Sequence, residues 1–446
     1  MVSMTPRRGL SKSKSSSKGR HSALLPKLIY LVLCFGLVWL LLFVYYFPSI
    51  VDPRVDTPVE PTLPRSIGNL RGDDVAPAVG SNHANSVLHR SPPRNPSPMK
   101  PTKPDSPTLL RDHPHYGALD ADGERGYVFD PFALRRDPPP MNFIPSKEKL
   151  CKKGGARGLG DADYKMYEHV KVSPLTEASK KARVLCTIYT YPAHHASHVT
   201  AARETWAQHC DGFMAVSTST DEALNTVNIP HEGEEEYNNI WQKIRSTWAY
   251  IHDNYVDSGI YSSEFDWFYI GGDDVFVIPE NLKLYLGSDE IVAATEGGEK
   301  PIFLGRRFKQ DGDMSMVFNS GGAGYVLNRA AVKLLNQQLT TEGKGCQPHL
   351  KGFWEDVMVA KCLRMGFDLL PYDTKDSLRR ERFHPFTPGH HLTYNAPPTS
   401  KDWYIRYSID LKYEKECCSE ESATFHYIKP ELTRRLFALW YGHCEE

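Results

Sequence analysis

Apolar and polar positions divide the chain into three regimes. From Leu28 to Val51 no residue is charged, and the run LIYLVLCFGLVWLLLFVYYFPSIV is apolar almost throughout. About 20 such residues cross a bilayer as a helix, whereas the apolar core of a cleaved signal peptide is usually only about 7–15 residues long. The pattern predicts a transmembrane signal-anchor over residues 28–51, with Trp39, Tyr45, Tyr46 and Phe47 as aromatic residues for the membrane interface. From 52 to 175 the periodicity is lost in stretches such as SPPRNPSPMKPTKPDSPT and RRDPPP, and 18 of the 33 prolines fall between positions 52 and 150. Such a segment cannot bury enough apolar surface to offset chain entropy, so it reads as a Pro-rich, disordered stem.

From 176 to 446 the pattern becomes that of a globular domain. Short apolar runs at 183–191 (RVLCTIYTY), 265–270 (FDWFYI) and 301–308 (PIFLGRRF) predict strands. Helical spacing lies between and after them, at 204–208, 238–255, 328–339 and 355–365. Alternating strands and helices predict an α/β fold with a mainly parallel central sheet, whose ligands bind at the carboxyl ends of the strands.

Charge sharpens this division. Of the 53 Lys and Arg residues, seven lie before position 52 with no acid among them, so the remainder carries 46 basic against 54 acidic residues, a net of −8. The near-neutral net charge of −1 over the whole chain argues against a nucleic-acid partner. The basic residues 1–27 form a tail that stays in the cytoplasm, which places everything after the anchor in the lumen. Cysteine usage agrees with an oxidising compartment. Cys34 lies in the apolar span, leaving Cys151, Cys186, Cys210, Cys346, Cys362, Cys417, Cys418 and Cys444. An even number without a CxxC pair suggests disulfides, in a pairing that sequence cannot choose.

The strand rule directs attention past Ile270, to Gly271-Gly272-Asp273-Asp274. Two carboxylates beside glycines at a strand end can hold a divalent cation on a diphosphate, although the same four residues make a good hairpin turn. Arg306, Arg307 and Lys309 offer cations for an anionic ligand, and NSGGAGYVLNRA (319–330) predicts a glycine turn into a helix capped by Asn328. Glu355 and Asp356 open a helix, where acids are favoured by the dipole alone but where one of them could also serve as a general base. In TFHYI (424–428), a strand pattern sets His426 on the face opposite Phe425 and Tyr427. Asp274 with His426 would suit Mn²⁺ better than an all-oxygen Mg²⁺ site.

Taken in order, FDWFYIGGDDVFVIPENL, IFLGRRFK, SGGAGYVLNRAAVKLL, WEDVMVAKCLRMGF, RFHPFTPGHHL and ECCSEESATFHYI resemble the core 1 β-1,3-galactosyltransferases. These glycoprotein-N-acetylgalactosamine 3-β-galactosyltransferases belong to the inverting β-1,3-glycosyltransferase family that includes Fringe. HVTAARETWAQHC (198–210) resembles the family's first donor-side block, and the likeness runs from about Arg183 to Ile428.

The resemblance implies a GT-A-like nucleotide-sugar fold for residues 176–446, as the luminal glycosyltransferase domain of a single-pass type II Golgi membrane protein. It implies Asp274 and His426 as Mn²⁺ ligands, Asp356 as the base for the acceptor hydroxyl with Glu355 beside it, and Arg203, Asp273 and Asp274 at the UDP. The partners implied are a UDP-sugar donor and a glycoprotein or glycopeptide acceptor, with no nucleic acid; the oligomeric state stays open between monomer and homodimer. One departure stands out: Gly272 occupies the first acidic position of the family's Asp-Asp-Asp motif. A transferase of another sugar and a non-catalytic chaperone-like homologue are the alternatives, the latter opposed by the presence of Asp273, Asp274, Asp356 and His426.

Overall fold

The computed structural model describes residues 129–139, 161–257, 259–340, 346–396 and 402–442. The basic tail, the anchor and most of the stem lie outside these residues. Among the described residues, no helix is long and apolar enough to cross a membrane.

In chain order the strands are β1 (Val184–Tyr189), β2 (Gly212–Ser217), β3 (Thr226–Asn228), β4 (Trp267–Gly272), β5 (Phe276–Val277), β6 (Phe303–Gly305), β7 (Arg307–Gln310), β8 (Asp313–Asn319), β9 (Tyr325–Asn328), β10 (Phe383–His384) and β11 (Thr424–Phe425). The helices that matter here are α1 (Asp161–His169), α2 (Thr200–Arg203), α3 (Ile240–Ile251), α4 (Arg329–Thr340), α5 (Glu355–Phe367), α6 (Pro388–Thr393) and α7 (Pro430–Trp440). The six-stranded central sheet has the order β3-β2-β1-β4-β9-β6. Strands β1 to β4 run parallel, β9 is antiparallel to both its neighbours, and β6 therefore points the same way as β4. This mainly parallel sheet fits the expected GT-A-like architecture.

Alternation along the central strands builds a core on each face of the sheet. Val184, Cys186 and Ile188 of β1 join Phe213 and Ala215 of β2 and Tyr269 of β4 on one side. Leu185, Met214, Val216, Phe268 and Ile270 face the other, against Trp241, Ile244 and Trp248 of α3. Each fully buried large apolar side chain contributes roughly 1.5–3 kcal/mol of transfer free energy. Both faces are covered, which is why these strands read as continuous apolar runs.

Four expectations are corrected. The folded part begins before the predicted stem ends. Phe129, Leu134, Met166 and Val170 are buried, and Tyr255 donates from its hydroxyl to the Phe129 carbonyl (2.9 Å). These sparse apolar residues fill notches in cores built by other segments, so no local periodicity betrays them. The run 301–308 divides at Gly305 into β6, on the central sheet, and β7, which forms a separate hairpin with β8. The glycine turn leads first into β9 and only then into α4, which Asn328 caps by accepting from the amide of Ala331 (3.0 Å). Finally, residues 271–274 do not join a hairpin. β5 belongs to a second, three-stranded sheet of order β10-β11-β5, so the chain leaves the central sheet at this turn.

Disulfides connect Cys186 to Cys210, Cys346 to Cys362 and Cys417 to Cys418. The first joins β1 to the segment entering β2, and the second holds the residues before α5 against that helix. Cys151 and Cys444 lie outside the described residues.

Candidate active site

The turn after β4 stands at the carboxyl end of the parallel strands. Asp273 Oδ2 accepts from Thr190 Oγ1 (2.6 Å), just beyond β1, and from His194 Nδ1 (2.8 Å). Asp274 points elsewhere: its Oδ1 lies 3.2 Å from His426 Nε2. Strand β11 pairs with β5 in the register Phe425↔Phe276, and the Ile428 amide donates to the Asp274 carbonyl at 2.7 Å. Regular pairing ends at Phe425. Tyr427 adopts a left-handed backbone with φ of 59°, so the predicted strand 424–428 bends at His426.

The hydrogen bonds fix the chemistry of this pair. His426 Nδ1 lies 3.2 Å from the Pro385 carbonyl, which can only accept, so Nδ1 carries the proton. In the neutral ring Nε2 is then a bare lone pair facing a carboxylate oxygen. Two acceptors in that position need either a second ring proton or a cation. Burial would raise the Asp274 pKa, but the charges of His426 and Lys429 and a backbone hydrogen bond outweigh it and bring the value down to about 2. Gly322 makes room for the imidazole, since a Cβ there would stand 2.4 Å from His426 Cε1.

A second pair of acids opens α5. Asp356 is half-buried, with Oδ2 accepting from the Gly321 amide (2.9 Å) and Oδ1 from the Val357 amide (2.8 Å). Burial raises its pKa despite these bonds. Glu355 is 3% exposed and accepts from the Tyr325 hydroxyl at 2.9 Å. A Cβ on Gly321 would meet Glu355 Oε1 at 2.0 Å, so a glycine is required where the turn crosses this helix end. The turn 320–324 thus reaches both pairs, touching His426 through Gly322 and the two acids through Gly321.

Residues 179–378 match the family model described as Fringe-like. Over these residues the chain is similar to the Fringe-like proteins. It is also similar to glycoprotein-N-acetylgalactosamine 3-beta-galactosyltransferase 1 of Xenopus laevis, with 33% identity over 256 residues, 57% of this chain and 65% of that protein. The alignment therefore spans just under two thirds of that relative's length.

Fringe-like glycosyltransferases are generally metal-dependent, and the donor set here fits a divalent cation. The Asp274 carboxylate and His426 Nε2 converge, and the Pro385 carbonyl orients the ring from behind by holding the Nδ1 proton, as partners of metal-bound histidines do, so a cation could stand where the second ring proton otherwise would. The other expected site residues are placed differently. Asp273 is turned toward Thr190 and His194, and Arg203 of α2 donates from Nε to Asn225 Oδ1 (2.6 Å), with no hydrogen bond to the acidic pairs among the described residues. Arg306 and Arg307 are committed to ion pairs with Glu381 (2.5 Å) and Asp373 (2.6 Å), which removes the phosphate role offered for them.

Three residues that stand beside the acids of the candidate site went unnoticed in the sequence. Tyr189, the last residue of β1, has its phenol pKa pushed well up by burial and by the fields of Glu355, Asp274 and Asp356, so it stands among both acid pairs. His194 and His198 stack with centroids 3.9 Å apart beside Asp273. The end of β1 was the available signal, because a parallel strand's carboxyl end is where ligands gather.

Glu355 yields a pH test. Burial first, and then the charge of Asp356, hold its carboxyl well above the ordinary glutamate range, although the Tyr325 hydroxyl opposes them. The fold therefore prefers the protonated form. That stability is full below the unfolded pKa of about 4.3 and is lost as pH rises through the elevated folded value. Glu355→Gln copies the protonated shape. Its melting temperature should match the parent's near about pH 4 and exceed it increasingly toward neutrality. Thermal melts across that range check this, and a variant uniformly less stable at every pH would count against a protonated Glu355.

Proposed function

We propose that this chain is a type II Golgi membrane enzyme that transfers galactose from UDP-galactose to the 3-hydroxyl of O-linked GalNAc on glycoproteins, with inversion and with Mn²⁺ as its metal. The observation that carries the reading is the convergence of Asp274 and His426, 3.2 Å apart, from two distant stretches of sequence onto the strand ends beside Asp356. Identity to the Xenopus galactosyltransferase supports the donor and acceptor. The apolar span 28–51 after a basic tail supports the topology.

Asp274 and His426 would hold the metal, which supplies positive charge against the departing diphosphate. The rest falls to the chain. Asp356, held by two backbone amides, receives the proton of the acceptor hydroxyl as its oxygen bonds to the anomeric carbon and the bond to UDP breaks. One base is sufficient for a single displacement, so no second carboxylate nucleophile is needed, in contrast to a retaining glycosidase. Glu355, whose carboxyl burial shifts toward the protonated form, is anchored by Tyr325 beside Asp356.

Gly272 favours a second reading, a β-1,3-transferase of another sugar. A Cβ at this position would already lie 3.1 Å from Asp274 Oδ1, so the missing acid alters the immediate surroundings of the metal carboxylate. A donor screen decides between the two. The full-length protein is offered UDP-galactose and other UDP-sugars with an α-GalNAc-Ser/Thr peptide, with and without Mn²⁺, and UDP release and product are measured. Mn²⁺-dependent galactose transfer is expected. Efficient transfer of a different sugar, with none from UDP-galactose, establishes the second reading.

A further inference from the structure

Behind the strand that delivers His426 lies a buried cluster that the transfer reaction does not use. His384 of β10, His391 of α6 and Cys418 are 1%, 3% and 0% exposed, and one ligand atom from each lies within 4.8 Å of the others. Hydrogen bonding determines the state of the first ring. Ser422 Oγ gives its single proton to the Ser419 carbonyl (2.6 Å), so at its 2.8 Å contact with His384 Nε2 the ring nitrogen must be the donor. His384 Nδ1 is left as a bare lone pair 3.7 Å from Cys418 Sγ. His391 Nε2 is buried with no hydrogen-bond partner. Burial, reinforced by Arg306 and by neighbouring histidines, pushes both imidazole pKa values well below the usual range, so both rings are neutral as metal ligation requires.

Two neutral imidazoles and a cysteine sulfur form a zinc-type set, and Ser422 supplies the outer partner that fixes the ring. What withholds the site is the bond between Cys418 and Cys417. We propose that reduction of the Cys417–Cys418 disulfide by a dithiol opens a zinc site whose protein ligands are Cys418 Sγ, His384 Nδ1 and His391 Nε2. The dithiol supplies two electrons and two protons and is itself oxidised to a disulfide, leaving Cys417 and Cys418 as thiols. When Zn²⁺ binds, Cys418 releases its proton to solvent and the imidazoles release none. His384 pairs with Phe425 across β10 and β11, its ring 4.5 Å from that of Phe425, and His426 is the next residue. A bound ion would therefore brace the strand that positions His426.

The test uses full-length protein and Co²⁺, whose spectrum reports thiolate ligation. Cys417→Ser leaves Cys418 as a free thiol without any reductant and keeps the other disulfides. This variant should bind Co²⁺ with a thiolate-to-cobalt charge-transfer band that Zn²⁺ bleaches. The band should be absent from untreated parent protein, appear in the parent after dithiol treatment, and be lost in Cys417→Ser/His391→Ala. A cooperatively melting Cys417→Ser protein without the band, or a band that survives the His391 change, overturns the proposal. Should Cys417→Ser fail to fold, dithiol-treated parent is compared with dithiol-treated Cys418→Ser, and identical cobalt spectra overturn it. Asp274 and His426 contain no sulfur and cannot give this band, so the outcome is independent of whether the chain transfers galactose.

Discussion

Asp356→Asn should lower turnover by about 10²–10⁴-fold, the usual contribution of a general base, while leaving UDP and Mn²⁺ affinity close to that of the parent. Both carboxylate oxygens accept backbone amides, from Gly321 and Val357, so the acid is held in one orientation at the start of α5. Burial raises its pKa, which makes it a better proton acceptor than an exposed aspartate. The asparagine amide cannot take the proton. It also sets an N–H₂ group against one of the two backbone donors, so a stability loss of about 1–3 kcal/mol accompanies the catalytic one. The competing account makes Asp356 only a support for the helix end. On that account the variant melts earlier yet turns over normally once folded. Turnover, UDP affinity and melting temperature measured on one preparation separate the two, and near-normal turnover would remove Asp356 as the base.

Asp274→Asn and His426→Ala should each raise the Mn²⁺ concentration needed for half-maximal activity and weaken metal-dependent UDP binding. Loss of even an outer partner of a metal ligand typically costs about 10–100-fold in affinity, so loss of a ligand should cost at least that. The two changes differ in what they leave behind. Removing His426 leaves Asp274 without the charge that holds its pKa down to about 2, whereas Asp274→Asn leaves a histidine still oriented by Pro385. Calorimetric titration of Mn²⁺, with and without UDP, checks both. A parent-like titration for His426→Ala would make this histidine merely the counter-ion of Asp274.

How much of this was legible depended on where the information resides. β1 and β4 were visible because strands buried on both faces are apolar throughout, and α4 because its apolar stripe and the Asn328 cap agree. The pairing of Asp274 with His426 was reachable only through the order of several blocks, since nothing local to either residue points at the other. What stayed hidden was tertiary. Arg306 and Arg307 look like free cations until Glu381 and Asp373, far along the chain, are seen to take them. Phe129 and Leu134 sit in proline-rich surroundings, and the cores that bury them are built mostly by other segments. The turn at 271–274 carried the marks of a hairpin, and only the second sheet shows that the chain departs instead.

That second sheet also bears on biosynthesis. β5 follows directly on β4, yet its partner β11 and the histidine beside it are among the last residues of the domain to be made. The parallel strands can pair while the chain is still emerging, but the Asp274–His426 pair cannot form until residues 424–428 have been made and docked. A polypeptide cut short before Thr424 would keep every strand of the central sheet and both acids of α5, and would still be unable to assemble the Asp274–His426 pair. Formation of that pair would therefore mark the completion of translation and folding together.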